Sequence, residues 1–86
     1  MLTVIAEYPI DDILNNPDTY VPDDSTIVLF EFTTPNGPVI ISLGYDSYNC
    51  LYYFVKTYPS FTYTVRCEKH ELRDMSETII KEFNEN

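Results

Sequence analysis

Residues 26–33 read TIVLFEFT, and residues 38–43 read PVIISL. Both runs are rich in β-branched and aromatic side chains, which fit a pleated, half-buried strand. Between them lies Thr34-Pro35-Asn36-Gly37, and an Asn-Gly pair readily takes the positive φ that a tight turn needs. The two runs therefore predict an antiparallel β-hairpin across this turn.

Two further segments alternate between apolar and other side chains. Residues 2–8 predict a short strand at the start of the chain. Residues 61–68 predict another, with four side chains expected to face the core: Phe61, Tyr63, Val65 and Cys67. The hairpin therefore has candidate partner strands both before and after it in the sequence.

A short helix is predicted after Pro9, because proline is tolerated where a helix begins. Asp11 and Asp12 follow in its first turn, where the helix dipole favours carboxylates. The helix should end before Pro17, since the residue preceding a proline avoids the α region. Residues 17–25 carry two prolines and three aspartates, and they predict a loop.

A second helix is predicted at the end of the chain. Its apolar residues recur at spacings of three and four, namely Leu72, Met75, Ile79 and Phe83. Asp74 or Ser76 is expected to cap the regular part of this helix. Residues 84–86 are expected to fray.

The segment 46–58 allows two interpretations. Helix is favoured, because Asp46 or Ser47 can cap it and Pro59 can stop it, with Tyr48, Leu51, Tyr52 and Val55 on one helical face. Strand remains open, since Leu51, Tyr53 and Val55 also alternate. Together the elements predict a single α+β domain over residues 1–86, with a small antiparallel sheet of three to four strands covered on one face by two or three helices.

Charge is distributed unevenly along the chain. Residues 1–55 contain no Lys or Arg but eight carboxylates, whereas all five basic residues lie between positions 56 and 81. The formal net charge is −9. Phosphate contacts need Lys or Arg, so direct binding to nucleic acid is disfavoured.

Catalytic chemistry is poorly supplied. His70 is the only histidine, and Cys67 precedes it on the predicted inward face of a strand, with no third group to orient the pair. Both Cys50 and Cys67 are expected to be reduced and buried. The sequence predicts a protein that is not an enzyme and has no cofactor.

A metal site is not predicted either. Asp18, Asp23, Asp24 and the Tyr20 carbonyl offer oxygen atoms in one loop, but they lack the spaced pattern of a dedicated calcium loop. No leader and no apolar run of about 18 residues occurs in the sequence. The expectation is a cytoplasmic protein without membrane contact.

Protein binding is the class of function that remains. Tyrosines are favoured as interface anchors, and acidic groups around them steer a basic partner. The candidate partner-binding residues are Asp11, Asp12, Asp18, Asp23, Asp24, Glu31 and Asp46, with Tyr20 and Tyr48 as anchors. The expected partner is a basic, nucleic-acid-binding protein.

In its charge, size, tyrosine content and lack of catalytic motifs, the chain resembles small acidic inhibitors encoded by phages and mobile elements. These include antirestriction and anti-CRISPR proteins that occupy nucleic-acid-binding sites. The resemblance lies in composition alone, and it implies an inhibitor of the DNA-mimic type in the host cytoplasm. The alternative is a small structural or assembly subunit that forms oligomers through an apolar sheet face, with the acidic residues serving solubility. Either a monomer or a homodimer fits the sequence.

Overall fold

The predicted hairpin forms the centre of the fold. The structure is a computed structural model that describes residues 1–84. Its strands are β1 (Leu2–Val4), β2 (Thr26–Thr34), β3 (Gly37–Asp46), β4 (Leu51–Thr57) and β5 (Thr62–Cys67). Its α-helices are α1 (Ile10–Asn15), α2 (Pro17–Tyr20) and α3 (Leu72–Asn84), with a 3-10 turn (Lys69–Glu71) before α3.

The five strands form one antiparallel sheet in the order β1-β2-β3-β4-β5. Thr34 pairs with Gly37 across the hairpin, so the loop consists of Pro35 and Asn36. Gly37 has a φ of 118°, which a glycine adopts without steric cost. The hairpin and the α+β class are thus confirmed.

The sheet has five strands rather than three to four, because residues 51–57 form β4 and not a helix. β3 pairs with β4 on one side and β5 pairs with it on the other, which satisfies its backbone groups in both directions. Asp46 caps a turn between β3 and β4 rather than a helix. The helix interpretation of this segment was wrong, and the strand alternative is correct.

The N-terminal prediction holds for α1, which follows Pro9 and ends before Pro17. The strand before it is shorter than expected, since β1 covers only Leu2–Val4. The expected loop 17–25 begins instead with α2, a single turn with Pro17 at its first position. Pro17 therefore ends α1 by restricting Asn16 and also occupies the first position of α2.

β5 has the predicted position but not the predicted burial. Cys67 is buried, whereas Phe61 and Tyr63 are each 57% exposed and Val65 is half-buried. β5 is the last strand of the sheet, so no further strand shields these side chains. By register Tyr63 and Val65 lie on the same face as Cys67, opposite Lys56 and Phe54, so the predicted facing holds for β5, but only Cys67 is buried.

The C-terminal helix is confirmed over Leu72–Asn84, but its start differs from the prediction. Glu68 and Glu71 form a reciprocal capping box around the 3-10 turn, so neither Asp74 nor Ser76 is the cap. Ser76 is buried inside α3. Of the residues expected to fray, Asn84 ends α3, and residues 85–86 lie outside the described part of the chain.

One face of the sheet is covered by the helices. The buried core joins sheet residues to helix residues, namely Ile13, Val21, Leu29, Phe30, Phe32, Val39, Ile41, Leu43, Tyr52, Phe54, Cys67, Leu72 and Ile79. A bulge between Val28 and Phe30 changes the pairing register of β2 and leaves Leu29 fully buried. Phe32 stacks on Phe83 of α3, with 4.6 Å between the ring centroids.

The opposite face, called the open face below, alternates with the core positions. Val28, Ile40, Tyr53 and Val55 belong to it by strand register, and all four are half-buried or exposed. The Tyr53 ring lies directly over Gly44, where it occupies the space that a side chain would fill. None of the helices within residues 1–84 is long and apolar enough to cross a membrane.

Both cysteines are free thiols. Cys67 is 4% exposed, as expected. Cys50 is exposed, which corrects the expectation of burial. It lies in the turn between β3 and β4 with a φ of 55°, and its Sγ lies 3.7 Å from the Ser47 carbonyl oxygen.

Candidate functional site

Most of the carboxylates lie at one end of the sheet. β3 and β5 end there, β2 and β4 begin there, and the segments that hold α1 and α2 connect β1 to β2 across it. We call this region the acidic end. Its carboxylates are Glu7, Asp11, Asp12, Asp18, Asp23, Asp24, Asp46, Glu68, Glu71 and Asp74, and its basic side chains are Arg66, Lys69 and Arg73.

Ten carboxylates against three cations leave most of the formal charge of −9 at this end. The antiparallel meander explains the grouping, since every second connection in such a sheet falls at the same end. Seven of the eight carboxylates from residues 1–55 meet there; the exception is Glu31. The charge asymmetry along the sequence has therefore become an asymmetry in space.

Both carboxylate oxygens of Asp18 contact side chains from other elements. Its Oδ1 accepts a hydrogen bond from the Tyr52 hydroxyl, and its Oδ2 lies 2.9 Å from the Lys69 Nζ. The Lys69 contact, followed by the Tyr52 hydrogen bond, lowers the pKa of Asp18 below its usual value. Burial and the neighbouring Asp18 charge raise the pKa of Tyr52. This pairing ties α2 to β4 and to the turn before α3.

Asp11 is also paired within the molecule. Its Oδ1 lies 3.2 Å from Arg73 Nη1, and Arg73 Nη2 donates to the Asn15 side chain at 2.8 Å. Asp11 and Asp18 were both predicted to bind a partner. Each also contacts a cation of the same chain, so its charge is offset locally.

Asp46 organises the exposed turn between β3 and β4. Its Oδ1 accepts from the backbone N–H groups of Tyr48 at 3.0 Å and Asn49 at 3.3 Å, and its Oδ2 accepts from the Asn49 amide at 2.8 Å. The Asn49 hydrogen bonds, with smaller effects from the Tyr48 N–H and the Arg66 charge, lower the pKa of Asp46. Tyr48 is 93% exposed at the tip of this turn. The ring of this predicted anchor is therefore accessible on a turn that Asp46 holds.

Asp12, Asp23 and Asp24 are different, since within residues 1–84 their exposed carboxylates form no ion pair and no side-chain hydrogen bond. Asp24 has a φ of 61°, a left-handed conformation that Asp tolerates better than most residues. With Asp46, it lines a cleft of about 320 Å³ on the open-face side of the acidic end. The remaining lining residues are Tyr45, Tyr53, Thr64 and Arg66.

Two of the predicted residues lie apart from this group. Glu31 pairs with Ile40 in the middle of the hairpin, on the open face and not at the acidic end. Tyr20 is half-buried and packs on Tyr8, with 4.9 Å between the ring centroids. Its ring is therefore partly used for packing between the N-terminal connection and α2.

The sequence did not indicate that Arg66, Lys69 and Arg73 join the acidic end. They were counted with the nearly balanced C-terminal part of the chain. A five-strand meander brings the end of β5 to the same end of the sheet as the end of β3, and the strand alternative for 46–58 was the signal that implied it. The fold thus places most of the basic residues next to the acids that the sequence separates from them.

Glu68, His70 and Glu71 are the group within the described chain whose ligand atoms lie close enough for a metal ion, within 4.8 Å of one another. All three are exposed. Glu68 and Glu71 already accept the backbone N–H groups of their capping box, and His70 Nδ1 lies 3.3 Å from Glu68 Oε2. Helix capping accounts for the arrangement.

Comparisons of the chain with protein-family models, with curated proteins and with solved structures gave no match.

Proposed function

We propose that this protein is a non-enzymatic inhibitor or regulator whose acidic end docks on a basic, nucleic-acid-binding cleft of a partner protein. The supporting observation is the convergence of seven of the eight N-terminal carboxylates at one end of the sheet. Phosphate groups in nucleic acid and carboxylates here would compete for the same cations. The protein is in this sense a partial nucleic-acid mimic, of the kind used in phage counter-defence.

The magnitude of the charge is adequate for such mimicry. The molecule measures 36 × 24 × 21 Å along its principal axes. A DNA duplex 24 Å long carries roughly 14 phosphate charges, at about one per 1.7 Å of axis. Ten carboxylates offset by three cations give about half of that number. The mimicry is partial, and contacts other than charge must supply part of the affinity.

Charge and anchoring have separate roles in this proposal. The unpaired carboxylates of Asp12, Asp23 and Asp24 act at long range and raise the association rate. Tyr48 acts at contact, because its ring projects 93% exposed from an ordered turn. Asp11 and Asp18 maintain the geometry through Arg73 and Lys69.

The test begins with capture of a partner from the native host, followed by association kinetics over a salt series. Asp23→Asn with Asp24→Asn should slow association about threefold to tenfold at low salt. The matched control is Glu31→Gln with Glu77→Gln, which removes the same charge from exposed or half-buried positions outside the acidic end. The control should change the rate less than about twofold.

Competing duplex DNA should displace the protein from its partner, while the protein alone should not bind DNA or RNA. A salt-insensitive association rate, equal in the paired Asn variant and the control, would contradict the proposal. So would a partner that binds DNA and this protein at the same time.

A second candidate function is assembly through the open face of the sheet. Val28 is 40% exposed there, beside the half-buried Ile40, Val55 and Tyr53. A face of this kind buries apolar area when two sheets pack together. Ile40→Lys should break such an assembly and leave the acidic-end complex intact, which separates the two functions.

A further inference from the structure

The last strand of the sheet offers an unpaired edge. β5 pairs with β4 over the whole of Thr62–Cys67 without a bulge, and its other side has no strand neighbour within residues 1–84. The opposite edge of the sheet is β1, which has only three residues. An edge of six residues presents a row of backbone donors and acceptors that another strand can complete.

β5 lacks the usual features that block pairing at an edge. Its sequence TYTVRC contains no proline, no lysine and one charged residue, Arg66. Tyr63 is 57% exposed, and Val65 beside it is half-buried. Threonine, tyrosine and valine all have high β propensity. The edge is therefore well suited to accept a strand.

We propose that β5 pairs antiparallel with β5 of a second copy of this chain, which joins two five-stranded sheets into one. The distribution of charge favours a second copy of β5 as the strand that pairs with this edge. β5 carries no carboxylate, whereas the carboxylates of the acidic end resume directly after it at Glu68. Antiparallel pairing about a two-fold axis directs the two acidic ends away from each other, to opposite ends of the joined sheet. A parallel arrangement would place them side by side.

The symmetry also limits the register. A two-fold axis perpendicular to the sheet places residues of the same face opposite each other, so the pairing is centred on one residue. Centring on Thr64 places Tyr63 opposite Val65 of the second copy, an aromatic and β-branched pair. Arg66 then lies opposite Thr62 of the second copy and not opposite another Arg66. This register leaves both acidic ends free, so it is independent of the proposed docking function.

The register predicts how two variants change the dimer Kd. In both, the predicted change is opposite to the one that net charge alone would cause. Thr64→Lys makes the chain less acidic, but it places two lysines opposite each other at the centre of the pairing. It should raise the dimer Kd about tenfold or more. Thr62→Glu makes the chain more acidic, but it places each new carboxylate opposite Arg66. It should lower the dimer Kd about threefold to tenfold.

Matched controls are Thr33→Lys and Thr33→Glu, at an exposed position of β2 that is remote from β5. Sedimentation equilibrium up to about 1 mM protein measures the Kd of each variant, against a monomer mass of 10.0 kDa. Circular dichroism checks that each variant is folded. Added salt should tighten the dimer, because both copies are negative, whereas it should weaken the proposed partner complex.

Hydrogen exchange provides a second measurement on the unmodified chain. Amide protection in β5 should increase with protein concentration and should not increase in Thr64→Lys. The proposal is overturned by any of three results: a monomer throughout the concentration range, a dimer that Thr64→Lys leaves unchanged, or a dimer that Thr62→Glu fails to tighten. A dimer broken by Ile40→Lys and not by Thr64→Lys would assign the interface to the open face.

Discussion

In the fold, Asp18 from the acidic N-terminal part of the sequence contacts Lys69 from the C-terminal part, which holds all the basic residues. Its carboxylate is held by Lys69 and by the Tyr52 hydroxyl, and both contacts lower its pKa. A carboxyl whose pKa is lower in the folded state favours folding when it is ionised. This contribution is fully present above the usual pKa of 3.8 and is lost as the pH falls through the lowered folded-state value.

We therefore expect stability to decline as acid protonates Asp18. Asp18→Asn should make the dependence of the unfolding free energy on pH shallower between about pH 5 and pH 3. Lys69→Met should do the same, because Lys69 is the largest cause of the lowered pKa. Urea unfolding at several pH values measures the slope. An unchanged slope in Asp18→Asn would contradict the prediction.

The two cysteines make a contrast at the same scale. Cys67 is 4% exposed, and burial, with a smaller effect from Glu71, raises its pKa to about 11. Cys50 is exposed in the turn between β3 and β4. At pH 8 the thiol of Cys50 should be alkylated on the order of 100-fold faster than that of Cys67, which must wait for an opening of the fold. Single Cys→Ser variants assign the two rates, and equal rates would show that Cys67 is not protected.

Among the elements, the sequence predicts best those whose signals are local. The β2–β3 hairpin, α1 and α3 all follow from β propensity, proline positions or helical spacing within a few residues. β4 is different, because its residues fit a helix and a strand about equally, and only pairing with β3 and β5 decides between them. Asp46 acts as a local cap in both interpretations, so it could not discriminate.

For the candidate site, too, the sequence predicts only what depends on local signals. The sequence identifies the acidic residues, but it cannot show which of them are paired. Arg73 reaches Asp11 across 62 positions, and Lys69 reaches Asp18 across 51. Such contacts depend on the meander topology, which depends in turn on β4. Because the sequence favoured a helix where β4 forms, it did not predict that Arg73 pairs with Asp11 or that Lys69 pairs with Asp18.

α3 fixes the covered side of the sheet through a few fully buried residues. Ile79 is 1% exposed within the core, and Glu77 on the same helix is exposed. Ile79→Ala should reduce the free energy of unfolding by about 2–4 kcal/mol, through lost burial and the cavity that remains. Glu77→Ala should change it by less than about 0.5 kcal/mol. Urea denaturation compares the two, and a small effect of Ile79→Ala would mean that α3 is not firmly docked.

At the scale of the whole molecule, the acidic end places like charges close together. Repulsion between them opposes folding, while the contacts of Asp11 and Asp18 with Arg73 and Lys69 reduce it locally. Asp12, Asp23 and Asp24 have no such contacts within residues 1–84. A surface that lowers stability in this way is expected where function requires it, since binding sites often reduce the stability of the free protein.

Repulsion at the acidic end predicts opposite effects of one variant on stability and on binding. Asp23→Asn with Asp24→Asn removes two unpaired charges, and Asn also tolerates the positive φ of position 24. Its Tm should rise by about 2–4 °C at low salt, and the gain should vanish near 1 M salt, where the Debye length is about 3 Å. The same variant should associate more slowly with the partner. Thermal unfolding at both salt concentrations measures the first effect. An unchanged or lower Tm would show that these carboxylates do not repel their neighbours, and the acidic end would then lack the concentrated negative field that steering requires.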